Sequence, residues 1–496
     1  MEAPRSLHAR LVEATNPTPK RESSPLMGEA GYRCCGCTLL RERESAVLLT
    51  TLVLFLCHFT KQASNAVLPV ILDPLADISQ DSHVTSLLPG INTAFYAIGK
   101  FTQIPLTYFI GGQRSLVWAL GLTSVGQAVF VIGGAACFST KVVGEIMLSF
   151  GAALIWGSAG RVLVAWVDAS SRGLATAFCT IGGDLSAAGA SAGYGAILDA
   201  NEGSTGWVYA PIIASGLLAL SLVAVVFLLR SSPATCGFRP AQLERSAASH
   251  PLDEASLGDA LRCFVVSGQL WLTVVACCGF TTVDSFIGSY GPAYATERYG
   301  ATYGEAALLS SSYALGLALG SLMAGLTFDR LHPETAINVT GVIKLVGVAA
   351  AAMLLALDLN GAGNLSALYV VVVLIGASID YSWSVTVCLF AYRFGGPVHC
   401  ATLMGLQDAI SFAFKIPMAF LFGQLHNSGS YTASLIIVIT ALSLAHLSIV
   451  VHLIMERRKP SVPESVQRDV LGGKLNTLDT PPGPSESSAA PCCVIL

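Results

Sequence analysis

The chain has 496 residues, 53% hydrophobic and only 12% charged, against roughly 25% charged in an ordinary globular domain. At a mean hydropathy of +0.64 it cannot cover its surface with charge, so its excess apolar residues face something other than water. A formal net charge of −4 and an isoelectric point near 6.1 leave no basic field for nucleic acid. The 14 cysteines lie scattered in apolar segments or clustered near the chain ends, unlike a secreted disulfide framework.

Since a membrane-crossing helix needs about 20 apolar residues, the apolar segments read as spans. There are twelve, numbered here in chain order: 46–72, 87–110, 116–138, 142–167, 174–198, 208–229, 265–293, 303–328, 335–358, 366–394, 400–425 and 432–455. Residues 1–45 form a polar tail with seven Lys/Arg against six Glu, too acidic for an organelle import peptide and too long for a secretory signal. Residues 46–229 hold the first six spans and 265–455 the second six. Between them lies 230–264, rich in polar residues and helix breakers. The Ser/Pro-rich tail 456–496 is too polar to pack and reads as disordered.

With Arg393, at the very end of span 10, counted with the turn that follows it, 20 of the 27 Lys/Arg fall in the tails and in the turns between spans 2–3, 4–5, 6–7, 8–9 and 10–11. Two, Lys141 and Arg298, fall in the opposite turns, and five lie within spans. This bias predicts that both tails are cytoplasmic, in the plasma membrane or an endomembrane.

The two halves echo each other. Lys61 precedes Pro69 by eight residues in span 1, as Asp284 precedes Pro292 in span 7. Tyr96-Ala97-Ile98-Gly99 in span 2 returns as Tyr313-Ala314-Leu315-Gly316 in span 8. A duplicated helical bundle with its site between the halves at mid-membrane is the expected architecture.

Ionisable groups within hydrocarbon cost several kcal/mol by most estimates, so each implies a partner or a role. The first half has Lys61, Lys100, Arg161 and Asp184; the second has Asp284, Asp380, Asp408 and Lys415. Lys344 lies nearer a helix end and is expected to snorkel to water. Helical spacing sets His58, Lys61 and Asn65 on one face of span 1, and Asn92, Tyr96, Lys100 and Gln103 on one face of span 2. Spans 5 and 7 carry similar stripes through Asp184 and Asp284. Such stripes face a cavity or other helices rather than lipid. The surplus of cations in the first half predicts an anionic substrate held by Lys61, Asn65, Tyr96, Lys100 and Arg161. The carboxylates Asp284, Asp184, Asp380 and Asp408 are the candidate proton carriers, with Asp284 foremost. Structural ion pairs, such as Lys61 with Asp184 or either Asp284 or Asp408 with Lys415, are the alternative.

With its 6+6 plan, the chain resembles the major facilitator superfamily. Residues 320–331, GSLMAGLTFDRL, resemble that family's short motif between spans 8 and 9. The resemblance implies that Asp329 and Arg330 act as a conformational latch. The first-half copy, Gly111-Gly112-Gln113-Arg114, lacks the acid. Within the superfamily, 61-KQASNAVLP-69, 91-INTAFYAIGKF-101 and 160-GRVLVAWVDASSRG-173 resemble the organophosphate:phosphate antiporters, whose substrates are glycerol phosphate and sugar phosphates. Gln103-Ile104-Pro105 and the Trp…Arg-Gly pattern are also similar to anion:cation symporters of organic acids. Where the antiporters carry a site histidine in span 4 this chain has Ala165, and where they carry a second arginine in span 7 it has Asp284. Lys is a point charge where an Arg fork would grip phosphate bidentately, so a carboxylate or another proton-coupled anion fits equally well.

The expectation is a secondary active transporter of a small organic anion (organic phosphate, sugar phosphate or carboxylate) in the lipid bilayer, with proton or phosphate as coupling ion. A proton-coupled symporter of another small polar solute and a non-transporting sensor on the same fold are the alternatives. No enzymatic activity, cofactor or metal is expected. Gly189-Ala190-Ser191-Ala192-Gly193 matches a hydrolase elbow, but that motif needs a strand-to-helix turn and this one lies inside span 5. Residues Cys493–Leu496 fit a C-a-a-X prenylation signal. A chain with this many spans gains no anchoring from it, so lipidation at Cys493 and a chance match both stand.

Overall fold

The computed structural model describes residues 44–61, 83–132, 138–168, 171–200, 208–232, 252, 255–361, 364–383 and 385–458. Among these the protein is all-α, with no strand. Nine helices are long and apolar enough to cross a membrane. They include Glu44–Lys61 (span 1), Gly112–Ile132 (span 3), Ser139–Trp166 (span 4), Gly268–Tyr299 (span 7), Glu305–Arg330 (span 8) and Glu334–Leu359 (span 9). Spans 2 and 5, His83–Ile110 and Arg172–Ala200, are two further helices whose polar stripes lower their hydropathy. The stretch Leu365–Asn427 holds both span 10 and span 11. It breaks at Gly396, whose φ of 61° falls in the left-handed region open to glycine, with Pro397 immediately after. Counting that stretch twice makes twelve helices for the twelve apolar segments.

The distribution of side chains is that of a protein solvated by lipid. Phe109, Trp118, Ile132 and Leu345 stand on the outer surface, while Thr50, Thr107, Thr123 and Thr340 are buried. Each of those threonines donates to the carbonyl four residues back at 2.7 Å, satisfying its hydroxyl within its own helix. Span 4 breaks at Leu154, and the amide of Gln103 on span 2 fills the break. With the amide oriented to suit its neighbours, its oxygen accepts from the Gly157 and Ser158 amides at 2.6 and 3.2 Å, and its nitrogen donates to the Ala153 carbonyl at 3.1 Å.

Pseudo-symmetry is visible in who packs on whom. In the first half span 2 packs on 4, span 4 on 3 and span 3 on 6; in the second half span 8 packs on 10, span 10 on 9 and span 9 on 12. The halves meet through the symmetry-related pairs of spans 5 with 8 and 2 with 11. The repeated Tyr-Ala-x-Gly occupies equivalent contacts. Gly99 lies against the Phe150 carbonyl of span 4, and Gly316 against the Val373 carbonyl of span 10. Small residues at these points let helix backbones approach closely.

Part of the segment expected to be loop is helical. Leu257–Val266 is a short amphipathic helix whose N-cap, Ser256, accepts from the Asp259 amide at 3.2 Å. It buries Ala260, Cys263 and Phe264, the last with its ring against Phe394 beside the span 10–11 bend. Asn364 caps span 10 by accepting from the Ala367 amide at 3.0 Å. The tails, with Cys493, lie outside the described residues.

A Cβ at position 316 would run into the Val373 carbonyl, whereas one at Gly121 meets nothing within 4 Å. Gly316→Ala should therefore lower the unfolding temperature of the detergent-purified protein, at a cost of about 1–3 kcal/mol. Gly121→Ala should leave it unchanged. Equal melting of the two variants would show that spans 8 and 10 do not touch there.

Candidate functional site

The central constellation is built on four spans. Tyr96 and Lys100 sit one turn apart on span 2; Asp408, Phe412 and Lys415 follow at steps of four and three on span 11. These spacings hold each set on one helix face. Span 1 contributes Lys61 and span 7 contributes Asp284. The rings of Tyr96 and Phe412 meet across the seam with centroids 4.4 Å apart, tilted by 47°. Lys100 Nζ lies 2.8 Å from Asp408 Oδ2, its side chain only 1% exposed. Lys415 Nζ lies 2.6 Å from Asp284 Oδ2. Lys61 Nζ stands 4.6 Å from the centre of the Tyr96 ring, a cation–π contact. Span 7 opens into a π-turn at Ser285–Tyr290, directly after Asp284, and π-turns are common where a helix carries a site.

These pairs change the electrostatic account. Lys100 was expected to await an anionic substrate, but the Asp408 carboxylate already meets its charge from the other half. Asp284 is likewise met by Lys415 on its own half. Lys61 is the central lysine that forms no salt bridge among the described residues, and Asn65 lies outside them.

Arg161 is a correction. It was expected in the substrate site, yet it stands apart, close to the end of span 4 at Trp166. Its guanidinium donates to the carbonyl of Thr107, and to that of Tyr108 at 3.4 Å. Arg161 lies five residues before the end of this last short helix at Trp166, level with the end of span 2.

A second cluster lies between spans 5, 8, 9, 10 and 12. Asp184 and Asp380, 8% and 3% exposed, lie within electrostatic range of each other across the seam. Ser321 donates to Asp380. The Asp184 Oδ2 and the Tyr313 hydroxyl have no hydrogen-bond partner among the described residues. Tyr313 lies within electrostatic range of Asp284, Asp380 and Asp184.

Lys344 was expected to snorkel, and the structure overturns that. It is 3% exposed, donates to the Ser378 carbonyl and lies 5.4 Å from the centre of the Tyr381 ring. The helix begins at Pro333, so Lys344 sits about 16 Å along it at 1.5 Å per residue, too deep to reach water. Two further residues escaped the sequence reading. Glu145, buried on span 4, takes hydrogen bonds from Asn92 and Ser149; the unmatched Asn92 on the span 2 stripe was its only signal. His446 on span 12, 3% exposed, packs 5.8 Å from the Phe280 ring, and neither ring nitrogen has a partner among the described residues.

One end of the bundle is fastened by Asp329. Its carboxylate accepts from the Gly173 and Leu174 amides at 3.2 and 2.6 Å, at the start of span 5. A carboxylate at a helix N-terminus satisfies unpaired amides and meets the positive end of the helix dipole. Arg330 beside it is exposed, with no hydrogen bond or ion pair among the described residues. At the same end Tyr108 of span 2 stacks on His399 of span 11, centroids 5.5 Å apart, and Thr176 of span 5 donates to the Tyr392 hydroxyl of span 10 at 3.3 Å. The halves are closed on each other here.

Comparison with known proteins agrees with this geometry. The family described as Major Facilitator Superfamily matches residues 51–412. The solved proton:xylose symporter XylE, bound to 6-bromo-6-deoxy-D-glucose, superposes with a TM-score of 0.65 at 13% identity, over 87% of this chain and 100% of that one. FucP in its outward conformation gives a TM-score of 0.60 at 16% identity, over 84% and 99%. A single-substitution variant of the E. coli fucose:proton symporter FucP gives 0.55 at 16% identity, over 82% and 98%. No curated protein matches the sequence significantly.

The Lys100–Asp408 pair makes a direct prediction. Lys100→Met leaves a buried carboxylate without its cation, which costs about 3–5 kcal/mol for pairs of this kind. The unfolding temperature should fall sharply, and Lys100→Met with Asp408→Leu should recover most of the loss. A double variant no more stable than the single one would show that the two do not neutralise each other.

Proposed function

The chain belongs to the major facilitator superfamily, and from that premise we propose a proton-coupled secondary transporter that moves a small polar solute by alternating access of its halves. The observation that carries the coupling is the Asp184–Asp380 pair across the seam. With one proton shared, the two carboxyls hold spans 5 and 10 together. With the proton gone, two like charges in one buried cluster repel, which disfavours the closed seam. Protonation and rocking are then one event: loading the pair favours the closed seam, and release of the proton opens it. Asp284, foremost among the expected carriers, is held by Lys415 and serves in this reading to orient the cavity wall. The proton symport named for XylE and FucP supports the proton as coupling ion.

The solute site is the space around the Tyr96–Phe412 bracket. Aromatic faces with neighbouring Lys and Asp groups suit a small hydroxylated solute, and the near balance of paired charges there favours a neutral one. The positive-charge bias supports placing the Asp329 end toward the cytoplasm.

A specific observation also favours the anionic reading. Lys61 lies over Tyr96 with no carboxylate in salt-bridge contact among the described residues, as a cation kept for a substrate phosphate or carboxylate would.

Proteoliposome uptake tests both readings, using pentoses, hexoses, their phosphates and monocarboxylates. Uptake of the accepted solute should quicken as pH falls on the loading side, and a protonophore should abolish accumulation. Asp184→Asn and Asp380→Asn should keep solute exchange and lose uphill uptake, because an amide cannot release the shared proton. Uptake that ignores pH and protonophore would overturn the proton role and restore exchange against phosphate.

Lys61→Gln separates the solutes. If the substrate is neutral, uptake should survive at reduced rate. Complete loss, confined to charged solutes, would assign the anionic reading.

A further inference from the structure

The fastening by Asp329 has a symmetry mate that is chemically different. The repeat relates span 8 to span 2 and span 5 to span 11, so the turn after span 2 should present an acid to the start of span 11, as Asp329 does to span 5. Matched on Arg330 and Arg114, the residue at the acid's place is an amide, Gln113 (the Tyr-Ala-x-Gly echo puts Gly112 there), and it is turned away, donating to the Leu229 carbonyl at 2.6 Å. Between this turn and Pro397, which opens span 11, lies a cavity of about 600 Å³.

Arg114 of the turn, Arg161 of span 4 and Arg230 beyond span 6 all line that cavity, with Ser231, and no Asp or Glu does. None of the three arginines forms a salt bridge among the described residues. Arg161 gives one guanidinium nitrogen to span 2 carbonyls and keeps others, since the group has five N–H donors. The sharp turn at Gly111, with φ of 82°, also starts span 3 here, so Gly112 and Gln113 face the cavity with first-turn amides that lack helical acceptors.

We propose that this cavity binds a phosphate-bearing anion that performs for the first half the fastening Asp329 performs for the second. Guanidinium forks grip phosphate oxygens in pairs, and three of them around one space suit a multiply charged group better than a monocarboxylate. The volume exceeds what a single phosphate needs and suits a diphosphate or a phosphorylated lipid headgroup. Pro397, the second-half residue of the lining, has no N–H to donate, so an anion held by the first-half arginines meets the second half through the positive end of the span 11 helix dipole, and that attraction favours a closed end. The inference is independent of which solute the central site carries.

The test uses the full chain in nanodiscs of phosphatidylcholine. Pyrophosphate, added at ionic strength matched with chloride, should raise the unfolding temperature. Arg114 and Arg230 are exposed, so Arg114→Gln with Arg230→Gln should fold normally and bind about tenfold more weakly or worse. Hydrogen exchange should slow at both the span 2–3 turn and the span 10–11 bend. A shift with pyrophosphate identifies a soluble anion. A shift only in nanodiscs containing phosphatidylinositol 4-phosphate, lost in the double variant, identifies the lipid headgroup. No shift with either probe, or one the double variant retains, would overturn the site. Protection of the span 2–3 turn alone would overturn the fastening.

Discussion

A charge inside hydrocarbon has no water to fall back on, and the cross-seam pair Lys100–Asp408 is where this constraint shapes the protein most. Each residue is intolerable alone at that depth, so the two half-bundles are joined by the need of one for the other. That ion pair sets spans 2 and 11 face to face, which brings Tyr96 against Phe412 and carries Lys61 onto the outer face of the Tyr96 ring. The proposed solute space is thereby framed by a bond between the two halves.

With that pair in place the remaining buried charges divide into two groups with different chemistry. Around Tyr96 and Phe412 the cations and carboxylates are largely matched, so little net field is left to select a strongly charged solute. Between spans 5 and 10 two buried carboxyls, Asp184 and Asp380, lie in one cluster, while Lys344 donates to the Ser378 carbonyl. A matched region tolerates rocking of the halves without electrostatic penalty. In the proposed mechanism, a mismatched one makes rocking depend on whether the proton is present.

The spans were readable from sequence because length and hydropathy alone define them, and a bilayer permits almost no other backbone. The glycines of the Tyr-Ala-x-Gly echo were readable for a related reason: close helix contact admits only small residues, so the repeat leaves its mark in residue type. Partners were not readable. Whether Lys100 meets Asp408 or a substrate depends on how spans 2 and 11 are rotated about their axes, which no local pattern encodes. Lys344 misled because its distance from the helix start, rather than its chemistry, decides whether it reaches water. Arg161 misled because it lies only five residues before the end of span 4 at Trp166, where span 2 carbonyls take its guanidinium. His446 left no signal beyond one polar residue in an apolar run.

The echo between the halves also shows where symmetry has been given up. Gly99 and Gly316 keep the same backbone contact, so the skeleton repeats; Lys61 and Asp284 share a position and differ in sign, so the chemistry does not. The same split recurs at the fastened end. Asp329 neutralises the first amides of span 5 from within the chain, permanently and without any ligand. Its counterpart Gln113 carries no charge to offer span 11, and Arg114, Arg161 and Arg230 gather where a carboxylate would have balanced them. A bundle closed by two built-in acids would open with a fixed cost at both seams. One closed by a single built-in acid, with the other charge supplied from outside, can have that cost adjusted by what is dissolved beside it or lies in its membrane.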